Sequence, residues 1–311
     1  MAGAATSSQT GGAVRPAGIL PAERKLRFGP TGSGRIKRTL WTFASVGLFV
    51  GIWELCWYFG ISDPRLLPPP HIFLAAIPDQ AKFFNTATRW EMGVTPGSGP
   101  TPLEAMLMTL LSTLSRVLVG LSIAAVLSIS VGVLIRYFRL FENLTLPTIT
   151  LLAPISPVAW LPVALFIFGI GNGPAIFMVV IALFFSMVLA TIAQIDTVNR
   201  NYVNVARTMG CTKWQTYSRV IIPSILPGLL MLMRMNLFGA WMAVLIAEAT
   251  GVGYGIGQII MLARNTLNPG LVFFSIGLIG FMAYLCDLFL RLIQRKVLYW
   301  VPESTGVLRG L

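Results

Sequence analysis

The chain has 311 residues, 55% hydrophobic and only 11% charged, with 23 Lys and Arg against 11 Asp and Glu for a net charge of +12. A soluble domain carries about 25% charged residues, and even a large one leaves about a quarter of its chain surface exposed. With a mean hydropathy of +0.76, the composition excludes ordinary globular, disordered and fibrous proteins and leaves a membrane protein with several spans.

In chain order, residues 1–38 read as a basic, disordered cytoplasmic tail without the apolar core of a signal peptide. Its Gly29-Pro30-Thr31-Gly32-Ser33-Gly34-Arg35 run lacks the Lys and Ser/Thr of a phosphate loop. Six apolar segments follow, each near the ~20 residues that cross a membrane. They are Thr39–Ile61, Ala105–Ile135, Leu144–Gly169 with Pro147, Pro154, Pro157 and Pro162, Pro174–Ile195, Gly228–Ala247 and Gly270–Leu290. An outer connection over 62–104 opens on Leu67-Pro68-Pro69-Pro70-His71, and a short amphipathic helix is expected over Ile72–Phe84. Lys and Arg gather in the tail, in the loops after spans two and four, and at the C-terminal end as Arg291, Arg295, Lys296 and Arg309, ahead of and within an expected cytoplasmic tail over 296–311. The excess charge therefore reports orientation, both termini inside, and not a nucleic-acid partner. Residues 105–295 form the expected five-helix core. Cys56, Cys211 and Cys286 form no CxxC pair, and His71 is the single histidine, so no metal site is expected.

The loop between spans four and five, 196–222, is too long for a turn. Val198, Tyr202, Val205 and Met209 recur at helical spacing and predict a helix over Thr197–Met209. Gly210 breaks it. Trp214, Tyr217 and Ile221 predict a second helix over Thr212–Ile222, ended by Pro223 and Pro227. An amphipathic helix pair at the cytoplasmic face can pack on its own bundle, lie on anionic membrane lipid or dock on a partner.

Val205-Ala206-Arg207-Thr208-Met209-Gly210-Cys211-Thr212-Lys213-Trp214, followed by Arg219-Val220-Ile221-Ile222-Pro223 and Leu226-Pro227-Gly228, resembles the EAA signature of binding-protein-dependent ABC importer permeases. Asn204 and Val205 stand where that family usually has Glu and Ala, while Ala206, Gly210 and Pro223 keep their spacing. Leu67-Pro68-Pro69-Pro70, Arg116-Val117-Leu118-Val119-Gly120, Pro154-Ile155-Ser156-Pro157, Phe168-Gly169-Ile170-Gly171 and Gly253-Tyr254-Gly255 are similar to motifs of the nitrate/sulfonate/taurine/bicarbonate branch. The resemblance covers about Leu66–Trp300. It implies an all-α membrane protein of the type I importer permease kind in a bacterial inner membrane. It implies no enzymatic activity and no cofactor in this chain, with ATP and Mg held by a separate cytoplasmic ATP-binding subunit. The implied partners are that subunit, a second permease copy and a periplasmic solute-binding protein, and the implied cargo is a small anion or zwitterion. The loop becomes the ATPase-coupling element, carried by Asn204, Val205, Ala206, Arg207, Gly210, Lys213, Trp214, Tyr217 and Pro223. Trp214 and Tyr217 are expected to be its buried anchors, since aromatic residues dominate interface hot spots.

Ionisable residues inside spans are functional candidates. Arg116 begins span two, Arg234 lies about 9 Å into span five at 1.5 Å per residue, and Glu248 closes that span ahead of Gly251, Gly253 and Gly255. These residues, with Pro154 and Pro157 of the proline-rich third span, are candidates for the translocation path or gate. For each, an interhelical pair or close packing is the competing reading. A stand-alone secondary transporter or channel is the alternative function, and a membrane-embedded enzyme would need clustered acids or histidines that the sequence lacks.

Overall fold

The computed structural model describes residues 32–60, 68–75, 77–92 and 101–299. Of the tail expected over 1–38, residues 1–31 lie outside the described residues, as does most of the C-terminal tail, while 32–38 are helical and not disordered. Every described element is helical. The chain divides into two units between Trp53 and Glu54, inside the first helix, α1 (Gly32–Tyr58). The first unit contributes Gly32–Trp53, whose Leu40, Trp41, Leu48 and Phe49 are exposed. Helix α1 begins seven residues before the expected Thr39, and its apolar stretch, Ala44–Tyr58, is shorter than a full crossing.

In the second unit the outer connection forms two helices, α2 (Pro70–Ala75) and α3 (Ile77–Met92), where one was expected. Helix α4 (Pro102–Tyr137) starts on a capping box. The Thr101 hydroxyl accepts from the Glu104 N–H at 3.4 Å, and the Thr101 N–H donates back to the Glu104 carboxylate at 2.8 Å. Its 36 residues make a rod about 54 Å long. Helix α7 (Asn172–Asp196) lies against it in the most extensive helix contact of the chain. Gly120, Ala124, Ser128 and Gly132 recur every fourth residue of α4 and are all buried, so the two backbones approach closely. Around this seam Leu121, Met178, Leu237, Trp241 and Val244 form the main apolar core.

The third expected span is not one kinked helix. It consists of α5 (Arg139–Leu152), a 3-10 turn (Pro157–Trp160) and α6 (Leu161–Phe168), and the chain bends by 102° between the two arms. Pro147 is absorbed inside α5. Pro154 and Pro157 instead flank the break, where each lacks the N–H that would continue the ladder.

After α7 come α8 (Arg200–Thr208) and α9 (Lys213–Thr216). Pro223 and Pro227 do not separate α9 from the fifth span. The helix widens into a π-turn over Tyr217–Ile221, with the Ile222 N–H donating to the Tyr217 carbonyl, and runs on as α10 (Ile222–Ala247). Pro223 follows the π-turn directly, so its missing N–H falls where the hydrogen-bond ladder already shifts register. A second π-turn, Glu248–Val252, ends α10, and α11 (Ile256–Asn265) and α12 (Pro269–Val297) complete the described chain. Among the described residues four helical runs are long and apolar enough to cross a membrane: α4, α7, Lys213–Thr250 and α12. The bent pair makes a fifth if counted as one span.

Candidate functional site

Two sites occupy opposite ends of the bundle, and α4 and α10 connect them. The first is the elbow formed by α8 and α9. The Asn199 side chain caps α8, accepting from the Asn201 N–H at 2.9 Å. Helix α8 ends in a Schellman motif, the Cys211 N–H donating to the Ala206 carbonyl at 3.1 Å and the Gly210 N–H to the Arg207 carbonyl at 3.0 Å. Gly210 takes the left-handed position, φ +80°. The chain then re-enters helix through a second capping box, Thr212 with Gln215.

The elbow's apolar residues divide into two sets. Ala206, Ile221 and Thr216 are buried against the bundle. Tyr202, Val205 and Met209 are exposed, Met209 79% so, and Trp214 is 65% exposed while its ring meets Tyr137 of α4 edge-on with centroids 6.2 Å apart. Asn204, Arg207, Lys213 and Pro223 are exposed as well. Tyr217, expected beside Trp214 as an outward anchor, is turned inward. Its hydroxyl donates to the Arg136 carbonyl at 2.8 Å, and its ring packs edge-on against Tyr137 with centroids 5.2 Å apart. Arg136 in turn pairs with Glu142 of α5 and Asp196 of α7. Tyr217 and Arg136 thus fasten the elbow to the ends of α4, α5 and α7.

Twenty residues along α4 from Arg136, about 30 Å at 1.5 Å per residue and so about one hydrocarbon thickness, lies Arg116. This second site is sealed, with Arg116 2% and Glu248 0% exposed. The Arg116 Nη1 donates to the Glu248 carboxylate at 2.7 Å and to the Tyr254 carbonyl at 3.0 Å, and its Nε donates to the Asn172 Oδ1 at 2.7 Å. The guanidinium lies 3.9 Å from the centroid of the Tyr254 ring, whose hydroxyl also donates to Asn172 at 2.6 Å. Glu248 accepts further from the Gly257 N–H at 3.0 Å. The glycine run makes this wrapping possible. Gly253 and Gly255 hold φ +83° and +125°, and a Cβ on Gly255 would overlap the Glu248 carboxylate. Gly251 belongs to the π-turn itself.

Arg234 is paired too. It makes a two-pronged contact with Asp287 of α12, and Arg291 donates to the same carboxylate at 2.9 Å. This triad carries one net positive charge and is partly open, with side chains of Arg234 and Arg291 22% and 29% exposed. Beside it Leu118, Leu121, Leu230, Met233, Phe289 and Leu290 line an apolar cavity of about 230 Å³. Of the sequence candidates, the fold therefore joins Arg116, Glu248 and the glycine run. It separates them from Arg234 and from Pro154 and Pro157. Asn172, Tyr254, Arg136 and Asp287 carry no flag in the sequence as partners. The one available signal is that a lone charge inside a span demands an opposite charge on another span.

Residues 117–299 match the family described as binding-protein-dependent transport system inner membrane component. The chain is 25% identical to the taurine transport system permease protein of Escherichia coli over 84% of its own length and 90% of that protein's. It is 31% identical to the bicarbonate transport system permease protein of Synechococcus elongatus over 60% of its own length and 68% of that protein's. Its fold is similar to a chain of the MetNI methionine ABC transporter in an inward-facing conformation, with TM-score 0.55 and 21% identity over 62% of this chain and 95% of that one. The chain belongs to the binding-protein-dependent transport system inner membrane component family. It is a multi-pass membrane protein with the type I importer fold, the permease subunit of an ABC importer and not its ATPase.

Proposed function

We propose that this permease forms, with a second copy of itself, the path of an importer for a small anion or zwitterion of the taurine, sulfonate, nitrate or bicarbonate type. Six crossings with both termini on the cytoplasmic side fit the distribution of Lys and Arg. A cytoplasmic subunit that binds ATP and Mg docks on the α8–α9 elbow, and a soluble binding protein delivers the substrate from the other side. The observation that carries this reading is the elbow itself, with Tyr202, Val205, Met209 and Trp214 exposed on a frame held by the Asn199 cap, one capping box and a Schellman turn. Moving a two-state gate from 1:99 to 99:1 takes about 5.5 kcal/mol of differential binding, which calls for a rigid knob with aromatic and apolar anchors. Trp214 and Met209 supply the anchors, and Tyr217 passes the load to Arg136.

The test is Gly210→Val against Gly210→Asn in the purified complex. Open space surrounds a Cβ at this position, so only backbone conformation is at issue. A β-branched residue at φ +80° costs about 1–2 kcal/mol, a factor of about 5–30 in the population of the correct elbow, whereas Asn tolerates it. The valine variant should keep ATP hydrolysis and lose transport, and the asparagine variant should transport nearly normally. Fully coupled uptake by Gly210→Val would overturn the assignment.

The Arg234–Asp287–Arg291 triad is the station we assign to the passing anion, because it is partly open and cationic whereas Arg116 and Glu248 are sealed against each other. A partly open charge cluster inside a span belongs against a water-filled cavity or protein, not lipid. Arg234→Gln leaves Asp287 still paired with Arg291, so the bundle should assemble. Uptake should fall about tenfold, the loss of one charge-assisted hydrogen bond, with ATPase assembly intact. Wild-type uptake kinetics in this variant would remove Arg234 from the path.

A further inference from the structure

Helix α11 ends as α8 does. The Asn268 N–H donates to the Ala263 carbonyl at 2.9 Å, and the Leu267 N–H donates to the Arg264 carbonyl at 3.2 Å, which is again the Schellman pattern. In α8 the left-handed position of that pattern is filled by Gly210, but in α11 it is filled by Leu267, φ +51°. Among the described residues Leu267 is the one non-glycine with positive φ. A left-handed leucine costs about 1–2 kcal/mol. Leu267 recovers nothing by packing, since it is 88% exposed. Strain and exposure thus fall on the same side chain, at a place where glycine would satisfy the turn at no steric cost.

The surroundings of Leu267 are polar. Arg264, Asn265 and Thr266 are exposed. The Asn268 amide donates to the Gln80 side chain of α3 at 3.3 Å, and its oxygen caps α12 by accepting from the Leu271 N–H at 3.1 Å. A hydrocarbon environment is costly for exposed polar side chains such as Arg264 and Asn265. A single apolar tip inside a polar ring is instead the arrangement of a protein interface, a buried anchor with a hydrated rim. The turn is held firmly enough to present it, because α11 buries Ile256, Ile259 and Ala263 against the bundle and α3 braces Asn268. It also lies at the far end of α10 from the elbow, the end turned toward the delivering protein.

We propose that Leu267 is a docking anchor for the solute-binding protein, entering an apolar pocket on that protein with Arg264 beside it to meet a carboxylate. This inference rests on the importer reading above, in which the elbow takes the ATPase and the opposite end takes the binding protein. Strain on an exposed residue is then part of the interface. The turn projects the side chain outward, and docking covers it.

The test uses the permease–ATPase complex in lipid nanodiscs with its purified solute-binding protein, comparing wild type with Leu267→Gly and Leu267→Asp. Glycine relieves the backbone strain, so Leu267→Gly should melt at or above the wild-type temperature with unchanged basal ATP hydrolysis. The binding-protein concentration giving half-maximal stimulation of the ATPase should nevertheless rise about tenfold or more in both variants. Wild-type stimulation curves in both variants would overturn the proposal. So would a basal activity that changes with lipid composition in the variants while stimulation stays normal, because the side chain would then be anchoring in the membrane. A wild-type complex that its binding protein fails to stimulate would instead overturn the importer reading on which the anchor depends.

Discussion

Replacing Arg116 with Met is expected to destabilise the permease by about 3–5 kcal/mol, the cost of leaving a buried charge without its partner. Glu248 is fully buried, and the loss would strand its carboxylate with neutral donors such as the Gly257 N–H. The same change removes the donor that ties Asn172 of α7 and the Tyr254 carbonyl to α4. Glu248→Gln should cost a similar amount, since it leaves the guanidinium sealed and uncompensated. The double variant, Arg116→Met with Glu248→Gln, should recover much of the loss, because no net charge remains buried. Melting temperatures of the four proteins in detergent close this cycle. Two single losses that simply add in the double variant would mean that the two residues act independently, contrary to their 2.7 Å contact.

The second large effect is expected at the α4–α7 seam. A Cβ on Gly120 would stand 2.7 Å from the Cβ of Val179, and one on Gly132 would stand 2.8 Å from the Cβ of Thr191. Both neighbours are Cβ atoms fixed to a helix backbone, so the helices must separate for a side chain to fit. Overpacking of this kind costs about 1–3 kcal/mol per site. Gly120→Val and Gly132→Val lie about 18 Å apart along α4, so their effects should add to within about 0.5 kcal/mol. Thermal melts of the two single variants and the double variant measure this. A double variant as stable as either single would mean that the seam separates as a unit after the first insertion.

The sequence shows the spans most clearly where a run is long and free of charge. Ala105–Ile135 and Pro174–Ile195 fall inside α4 and α7 within a few residues. Prolines mislead in both directions. Pro154 and Pro157 look like kinks but mark a 102° break, while Pro223 and Pro227 look like stops but are carried inside one helix. The difference lies in whether neighbouring backbone groups find other partners, and local sequence does not record that. The π-turn at Tyr217–Ile221 solves the problem for Pro223 by lengthening the turn before it. The elbow's existence and its glycine turn are legible from spacing, because Gly210 follows Ala206 by four residues, just past the end of one short helix. Which aromatic faces outward is not, since Tyr217 turns inward toward a carbonyl 81 positions earlier in the chain. The Arg116–Glu248 pair is separated by 132 positions. Periodicity can show that each residue is out of place in an apolar span, but only the fold shows that each explains the other.

The π-turn between α9 and α10 fixes an angular phase. Each residue of a regular helix advances about 100° around the axis, so a turn closed by one extra residue rotates everything before it by that amount relative to an uninterrupted helix. Trp214 owes its outward aim to this offset. Closing Tyr217–Ile221 into a regular helix without removing a residue would swing the tryptophan by about 100°, whereas losing one residue together with the wide turn would leave its phase unchanged. The wide turn thus carries one residue that a regular helix of the same phase would not need, independently of which side chains occupy it.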